Sequence, residues 1–165
     1  MKPNKGFTLF ELIVTVAVLA ILAMIAAPSM VNLIKSSKVK TTSSAIVDFI
    51  QQARSEAIRT GRPVTVCASS NGSTCVDEDK DQWNVGLVMQ ITNPDASVNY
   101  SVLKFDDPNI EITGPNNTDS DVVLNSVGAT TGVHQVTVKM IGQDTYSVCI
   151  PVSGRAEKIK GSACP

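Results

Sequence analysis

The sequence predicts an α+β protein, in which one long N-terminal helix, its first half transmembrane, packs its second half against a C-terminal antiparallel β-sheet domain. Three observations predict it. Residues 7–27 form an apolar run of membrane length, and apolar residues at three- and four-residue steps carry the helical pattern on to Thr60. From Pro63 onward, short β-branched runs alternate with Asn, Asp, Gly and Pro. A chain of 165 residues suits one domain plus an anchor. Its net charge of −1 argues against bulk electrostatic binding of nucleic acid, although a local basic patch remains open.

The N-terminal run contains one charged residue, Glu11; its other polar side chains are Thr8 and Thr15, which can hydrogen-bond their own helix. About 20 apolar residues match a hydrocarbon core roughly 30 Å thick. A secretory signal peptide is the rival, with Lys2 and Lys5 as its charged region and Ala23–Ala27 offering small residues for cleavage. Signal cores run about 7–15 residues, however, and gain nothing from an embedded carboxylate. A carboxylate at the bilayer centre costs about 2.5–3.5 kcal/mol on insertion scales and usually has a definite partner. A plain anchor offers Glu11 no such partner, whereas helices packing against neighbouring subunits do.

Lys5-Gly6 followed by Phe7-Thr8-Leu9-Phe10-Glu11-Leu12 resembles the class III signal of type IV pilins and type II secretion pseudopilins. The resemblance implies that residues 1–6 are a leader, cut after Gly6 by a prepilin peptidase, leaving Phe7 as an N-methylated terminus. Glu11 then becomes the fifth mature residue, and the new α-amino cation of a neighbouring subunit is its expected partner. Such a pairing is far stronger at low dielectric than in water. Pro28 falls where many pilins place a helix-kinking proline.

Beyond Pro28 the helix continues. Ile46, Phe49, Ile50, Ala53 and Ala57 form one apolar stripe, with Gln51, Arg54, Ser55 and Arg59 largely on the other face. Gly61 and Pro63 end it. One helix from Phe7 to Thr60 would be about 80 Å long at 1.5 Å per residue, and Pro28 should kink it. The expected divisions are therefore a membrane half at 7–27, an amphipathic half at 28–60 and a β-rich domain at 61–165. Lys35, Lys38 and Lys40 balance the N-terminal lysines, so flanking charge alone leaves orientation undecided. The leader decides it: a single-pass inner-membrane protein with its domain outside the cytoplasm.

Strands are expected at Pro63–Ala68, Val85–Ile91, Val102–Phe105, Ile110–Thr113, Val122–Leu124, Val136–Ile141 and Tyr146–Ile150. Gly142-Gln143-Asp144 reads as the turn of a hairpin between the last two. Residues 93–99 and 114–121 read as polar loops. Together they describe a sheet folded over the C-terminal half of the helix.

Four cysteines in an oxidising compartment suggest two disulfides, with three connectivities open. Cys67 and Cys75 flank a short polar loop and are the favoured pair, which leaves Cys149 with Cys164. Each closure would contribute about 2–4 kcal/mol by restricting the unfolded chain. Four buried free thiols are the alternative. The spacings lack the Cys-x-x-Cys pair of a zinc site.

Later motifs narrow the resemblance. Gln51-Gln52-Ala53-Arg54-Ser55-Glu56-Ala57-Ile58, Arg62-Pro63-Val64-Thr65-Val66-Cys67 and Trp83-Asn84-Val85-Gly86 are similar to the GspH/FimT group of minor pilins and pseudopilins, which includes FimU. Val127-Gly128 and the ending Val148-Cys149-Ile150-Pro151-Val152-Ser153-Gly154-Arg155 add to it. The resemblance spans nearly the whole chain. It implies a low-abundance, non-catalytic subunit that primes filament assembly or sits near its tip, with major and minor pilins, the peptidase and the inner membrane as partners.

Catalytic chemistry has little purchase. His134, the single histidine, reads as a solvent-exposed or sheet-surface residue, and Trp83 as a core anchor. Asp77, Asp79 and Asp81 alternate like the start of a calcium loop, but Gln82 takes the glycine position and Val88 the bidentate Glu position. A solvated turn is the better reading, and neither metal nor cofactor is expected. Some FimT-type pilins bind DNA through a Gly-Arg-x-Arg element; here Gly154-Arg155-Ala156-Glu157 replaces the second Arg with an acid. Arg155, Lys158 and Lys160, joined by Lys139, could still contact double-stranded DNA weakly and salt-sensitively. A solvated tail is the alternative. The expected roles are thus minor pilin, DNA-uptake receptor or type II secretion pseudopilin.

Overall fold

The computed structural model describes residues 6–76, 81–92, 98–115 and 120–164; the side chains of residues 26–28, 99 and 100 lie outside that description. Two compact units result, Met1–Lys35 and Ser36–Pro165. Helix α1 spans Leu9–Thr60. In the first unit its apolar side chains from Leu9 to Ile25 are exposed, on a stretch long and apolar enough to cross a membrane. Thr15 donates to the Leu12 carbonyl at 2.9 Å, so this hydroxyl is satisfied within its own helix. α1 continues through Pro28, whose ring lies outside the described side chains.

In the second unit, one face of α1 supplies the core. Val39, Ser43, Ile46, Ile50, Ala53 and Ala57 are fully buried at alternating four- and three-residue steps, with Phe49 beside them. The stripe therefore begins a full turn and more before Ile46. Ser43 escapes notice as a core residue because it is polar; its hydroxyl donates to the Val39 carbonyl at 2.8 Å.

The strands form two four-stranded antiparallel sheets rather than one. The first runs β3-β2-β1-β5 and comprises β1 (Val64–Ala68), β2 (Leu87–Ile91), β3 (Val98–Leu103) and β5 (Val122–Leu124). The second runs β4-β6-β7-β8 and comprises β4 (Ile110–Thr113), β6 (His134–Met140), β7 (Tyr146–Ile150) and β8 (Glu157–Lys160). Inward side chains of both sheets share one core with the helix stripe. Trp83 sits fully buried in a short 3-10 turn, Trp83–Val85, where its indole nitrogen donates to the Ser120 carbonyl at 3.3 Å.

Several strand boundaries differ from expectation by a residue or more, and β8 is an additional strand. β2 starts at Leu87 because the preceding residues take up the 3-10 turn. β3 starts at Val98, inside the expected polar loop, because pairing with β2 extends to Ile91 opposite Val98. β8 occupies a segment that reads as a solvated tail. Its sequence, Glu-Lys-Ile-Lys, lacks apolar alternation because it is an edge strand, where charge is the usual defence against further pairing.

Each sheet has its outer face partly covered by a disulfide-closed segment. Cys67 joins Cys75 and Cys149 joins Cys164. The first closure lays residues 69–76 over the row Cys67, Val88 and Val102, which explains why Val88 is buried on the face away from the helix. The second folds the chain end over Ser147 and Cys149. Gln135 holds it through bonds to the Ser162 carbonyl (2.7 Å) and from the Cys164 amide (3.0 Å), and Ser147 donates to the Gly161 carbonyl at 2.8 Å.

At the C-terminal end of α1, Arg54 donates through Nε to the carbonyls of Gly128 (3.1 Å) and Ser153 (3.2 Å), clasping two loops. Gly154, at φ +71°, lies so close that a Cβ there would overlap the Gly128 carbonyl oxygen and press on Leu124. Gly154→Ala should therefore cost about 1–3 kcal/mol through overpacking, measured by denaturant unfolding of the detergent-solubilised chain. Gly132, with open space around it, is the matched control; its replacement by Ala should stay within about 0.5 kcal/mol.

Candidate assembly site

α1 begins with a reciprocal cap. Thr8 precedes the first helical residue, and its side-chain oxygen accepts from the Glu11 amide at 3.3 Å. Glu11 reaches back: its Oε2 accepts from the Thr8 amide at 3.0 Å and from the Thr8 hydroxyl at 2.9 Å. This is the capping box, Thr-x-x-Glu, which satisfies two of the donors that a helix start leaves open. A carboxylate in the first turn also lies at the favourable end of the helix dipole. Both bonds to the carboxylate fall on Oε2, and Oε1 accepts none among the described residues. Gly6 and Phe7 lie just before the cap and are exposed. The sequence signal for the box was present in Thr8-Leu9-Phe10-Glu11; attention to the charge alone misses it.

The four basic residues singled out near the chain end do not assemble into one face. In register, Lys158 lies opposite Val148 and so points toward the helix, where its Nζ donates to Ser44 Oγ (2.6 Å) and the Lys40 carbonyl (3.3 Å). It also lies 5.8 Å from the centre of the Tyr146 ring. Gln51 donates to the Ala156 carbonyl at 3.0 Å, so β8 is stitched to α1 at two points. Lys160 pairs with Asp144 at 2.7 Å, and Lys139 with Glu111 at 2.8 Å. The Asp144 contact holds the Lys160 ammonium above its ordinary range. Lys139 sits on β6, separated from β8 by β7. Arg155 is exposed, and no hydrogen bond or ion pair involves it among the described residues.

His134 corrects the expectation of an exposed ring. It is only 6 % exposed, because β6 begins two residues earlier than expected. Extending the alternation of Val136, Val138 and Met140 backward puts His134 on the buried face. Trp83 is the core anchor expected of it. Asp77 and Asp79 lie outside the described residues, and among the described residues no cluster of His, Cys, Asp and Glu could hold a metal.

Comparison with known proteins places this geometry. Residues 1–27 match the prokaryotic N-terminal methylation motif, and residues 42–155 match the family described as type II transport protein GspH. The chain belongs to the GspH family. Its fold is that of a type IV pilin. It is similar to a crystal structure of the type IV minor pilin FimU of Pseudomonas aeruginosa strain PAO1, with TM-score 0.61 and 13 % identity over 78 % of this chain and 96 % of that one. A second FimU crystal form gives TM-score 0.57 at 13 % identity, over 76 % of this chain and 99 % of that one. Members of this family are structural pilins and pseudopilins, and the methylation motif implies processing by a prepilin peptidase and assembly with other subunits.

In this GspH-family protein, the motif glycines Gly128 and Gly154 have a packing role: they allow two loops to meet under Arg54. Burial lowers the His134 imidazole below its ordinary value. The unfolded chain then binds that proton more readily, so stability is full above about pH 6.5 and falls as pH drops below it. Asp107 acts lower: the Lys38 ammonium, then Asn109, hold its carboxyl at about 2 against an ordinary 3.8. Its contribution is lost as pH falls from 3.8 through 2. Urea midpoints across pH should decline from about 6.5 downward in the native chain, and His134→Gln should flatten that decline while leaving the acid-range loss in place.

Proposed function

We propose that this chain is a minor pilin, non-catalytic, that assembles into a type IV pilus or primes its assembly. In this reading, cleavage after Gly6 exposes the Phe7 amine, which is methylated, and Glu11 accepts the amine of a neighbouring subunit. The supporting observation is the capping box. It fixes the carboxylate in the first turn through Oε2 while Oε1 is left open toward a second donor. A capped carboxylate is also less costly in lipid than a bare one, because its charge already accepts two hydrogen bonds. Insertion is thereby eased without removing the attraction to a cation at low dielectric. In this reading Pro28 is the kink point of α1, and the domain lies outside the cytoplasm.

The match to the GspH family favours a second reading, a minor pseudopilin of a type II secretion system, built and docked in the same way. Deleting the gene in a host carrying both machines separates the two: loss of surface pili supports the first, loss of exoprotein release the second. Under either reading, Glu11→Ala should leave the protein in the alkali-resistant membrane fraction and sharply reduce its incorporation into sheared filaments. Normal incorporation would sink the docking role.

DNA uptake ranks behind both, because Lys158, Lys160 and Lys139 are already engaged within the chain. Exposed Arg155 is the residue that favours a contact. Binding through so few cations would be weak and easily displaced by salt. In gel-shift assays with the full chain and double-stranded DNA, any retardation at low salt should vanish in Arg155→Ala. Retardation that survives this change but needs Lys160 would show that the Lys160–Asp144 pair opens for DNA.

A further inference from the structure

Asn71-Gly72 is the only Asn-Gly pair in the chain, and it lies inside the loop closed by Cys67 and Cys75. An asparagine followed by glycine is the pair most prone to spontaneous deamidation, because no Cβ shields the following amide and the backbone there is permissive. The Gly72 nitrogen attacks Asn71 Cγ, forming a C–N bond. The bond from Cγ to the side-chain nitrogen breaks, and ammonia leaves with the proton from the Gly72 amide. Water then opens the succinimide at either carbonyl, giving aspartate or isoaspartate at position 71. The reaction needs water alone, and Asn71 is exposed to it.

The loop ties up every participating group. Asn71 Oδ1 accepts from the Ser73 amide (2.8 Å) and the Thr74 amide (2.9 Å), and Nδ2 donates to Thr74 Oγ1 at 3.0 Å. The attacking nitrogen is engaged as well: the Gly72 amide donates to Ser69 Oγ at 3.0 Å. Ser69 in turn is only 3 % exposed, and its hydroxyl donates to the Thr74 carbonyl at 2.7 Å. Gln90 of β2 fastens the loop from outside by donating to the Ser73 carbonyl at 2.9 Å. Closing the ring requires the carboxamide to rotate and the Gly72 amide to leave Ser69, and the Cys67–Cys75 bond opposes the loop opening that both motions need.

We propose that Asn71 is a latent deamidation site that the Cys67–Cys75 disulfide keeps silent. Subunits that reach an oxidising compartment and close the bond keep a neutral amide at position 71. Those that fail to close it acquire a carboxylate there, or an isoaspartate whose extra backbone carbon disrupts the loop covering Val88. The site thus records whether oxidation succeeded, independently of the subunit's role in a filament.

The test is peptide mapping of the full chain in detergent micelles, incubated at mildly alkaline pH. Three proteins are compared: native, Cys67→Ala with Cys75→Ala, and Ser69→Ala with the disulfide intact. Asn125-Ser126, in a loop of its own, serves as the internal reference. Deamidation at Asn71 should be slow in the native chain and several-fold faster in the double variant, with Asn125 unchanged; Ser69→Ala should be accelerated to a lesser degree. Equal rates at Asn71 in the native and double-variant chains would overturn the proposal. Should Asn125 also accelerate in the double variant, reporting general unfolding, Ser69→Ala decides: faster loss at Asn71 alone supports the guard, and an unchanged rate refutes it.

Discussion

A carboxylate at the head of an apolar helix is the constraint on which the N-terminal unit of this chain depends. Glu11 could not sit bare in lipid without a substantial penalty. Thr8 answers that constraint locally, by giving the carboxylate two hydrogen bonds and taking one from the Glu11 amide. The cap both starts the helix and holds the charge. A residue that looks like a defect in a membrane anchor is therefore hydrogen-bonded within its own helix, and its Oε1 accepts no bond among the described residues. Membrane residence and assembly become compatible demands on the same side chain.

The second unit solves a different problem, which is how to seal two sheets against one helix face. The alternating stripe from Val39 to Ala57 supplies the helix side, and inward residues of both sheets complete the core. The outer faces would otherwise expose Val88 and Cys149, so each is covered by a segment that a disulfide closes. β8 then gains a second attachment through Lys158 and Gln51, which bond to and from the helix. Of the residues that suggest nucleic-acid contact in a linear reading, Lys158 and Lys160 thus help to hold β8 to the domain, while Lys139 pairs across to β4. Arg54 performs the corresponding task at the other end of the same helix segment.

The helix, the disulfide partners and most strands were legible in the residues because each follows from local periodicity or loop length. Ile46 through Ala57 announce a helix face, and Val136 through Met140 announce a strand. Three features were harder for identifiable reasons. β8 is an edge strand whose alternation is written in charge, so apolar periodicity cannot find it. The division into two sheets depends on long-range pairing, which no local pattern specifies. His134 lies one period before Val136, and a polar residue at the head of a strand does not announce its burial, although the period-two pattern carried back one step places it inside. At the candidate site, Glu11 stands out as the one charge in an apolar run and Gly6 and Phe7 through the resemblance to the pilin signal, whereas Thr8 does not, since a threonine in an apolar run looks incidental until its hydrogen bonds are seen.

The central claim is that Glu11 meets the amine of a different subunit. Filaments grown from a mixture of isotopically light and heavy chains, treated with a zero-length carbodiimide cross-linker, test it directly. The account predicts amide links between the Phe7 amine and the Glu11 carboxylate in peptides that combine one light and one heavy chain. Links confined to chains of a single isotope, or the absence of this link from well-formed filaments, would contradict it.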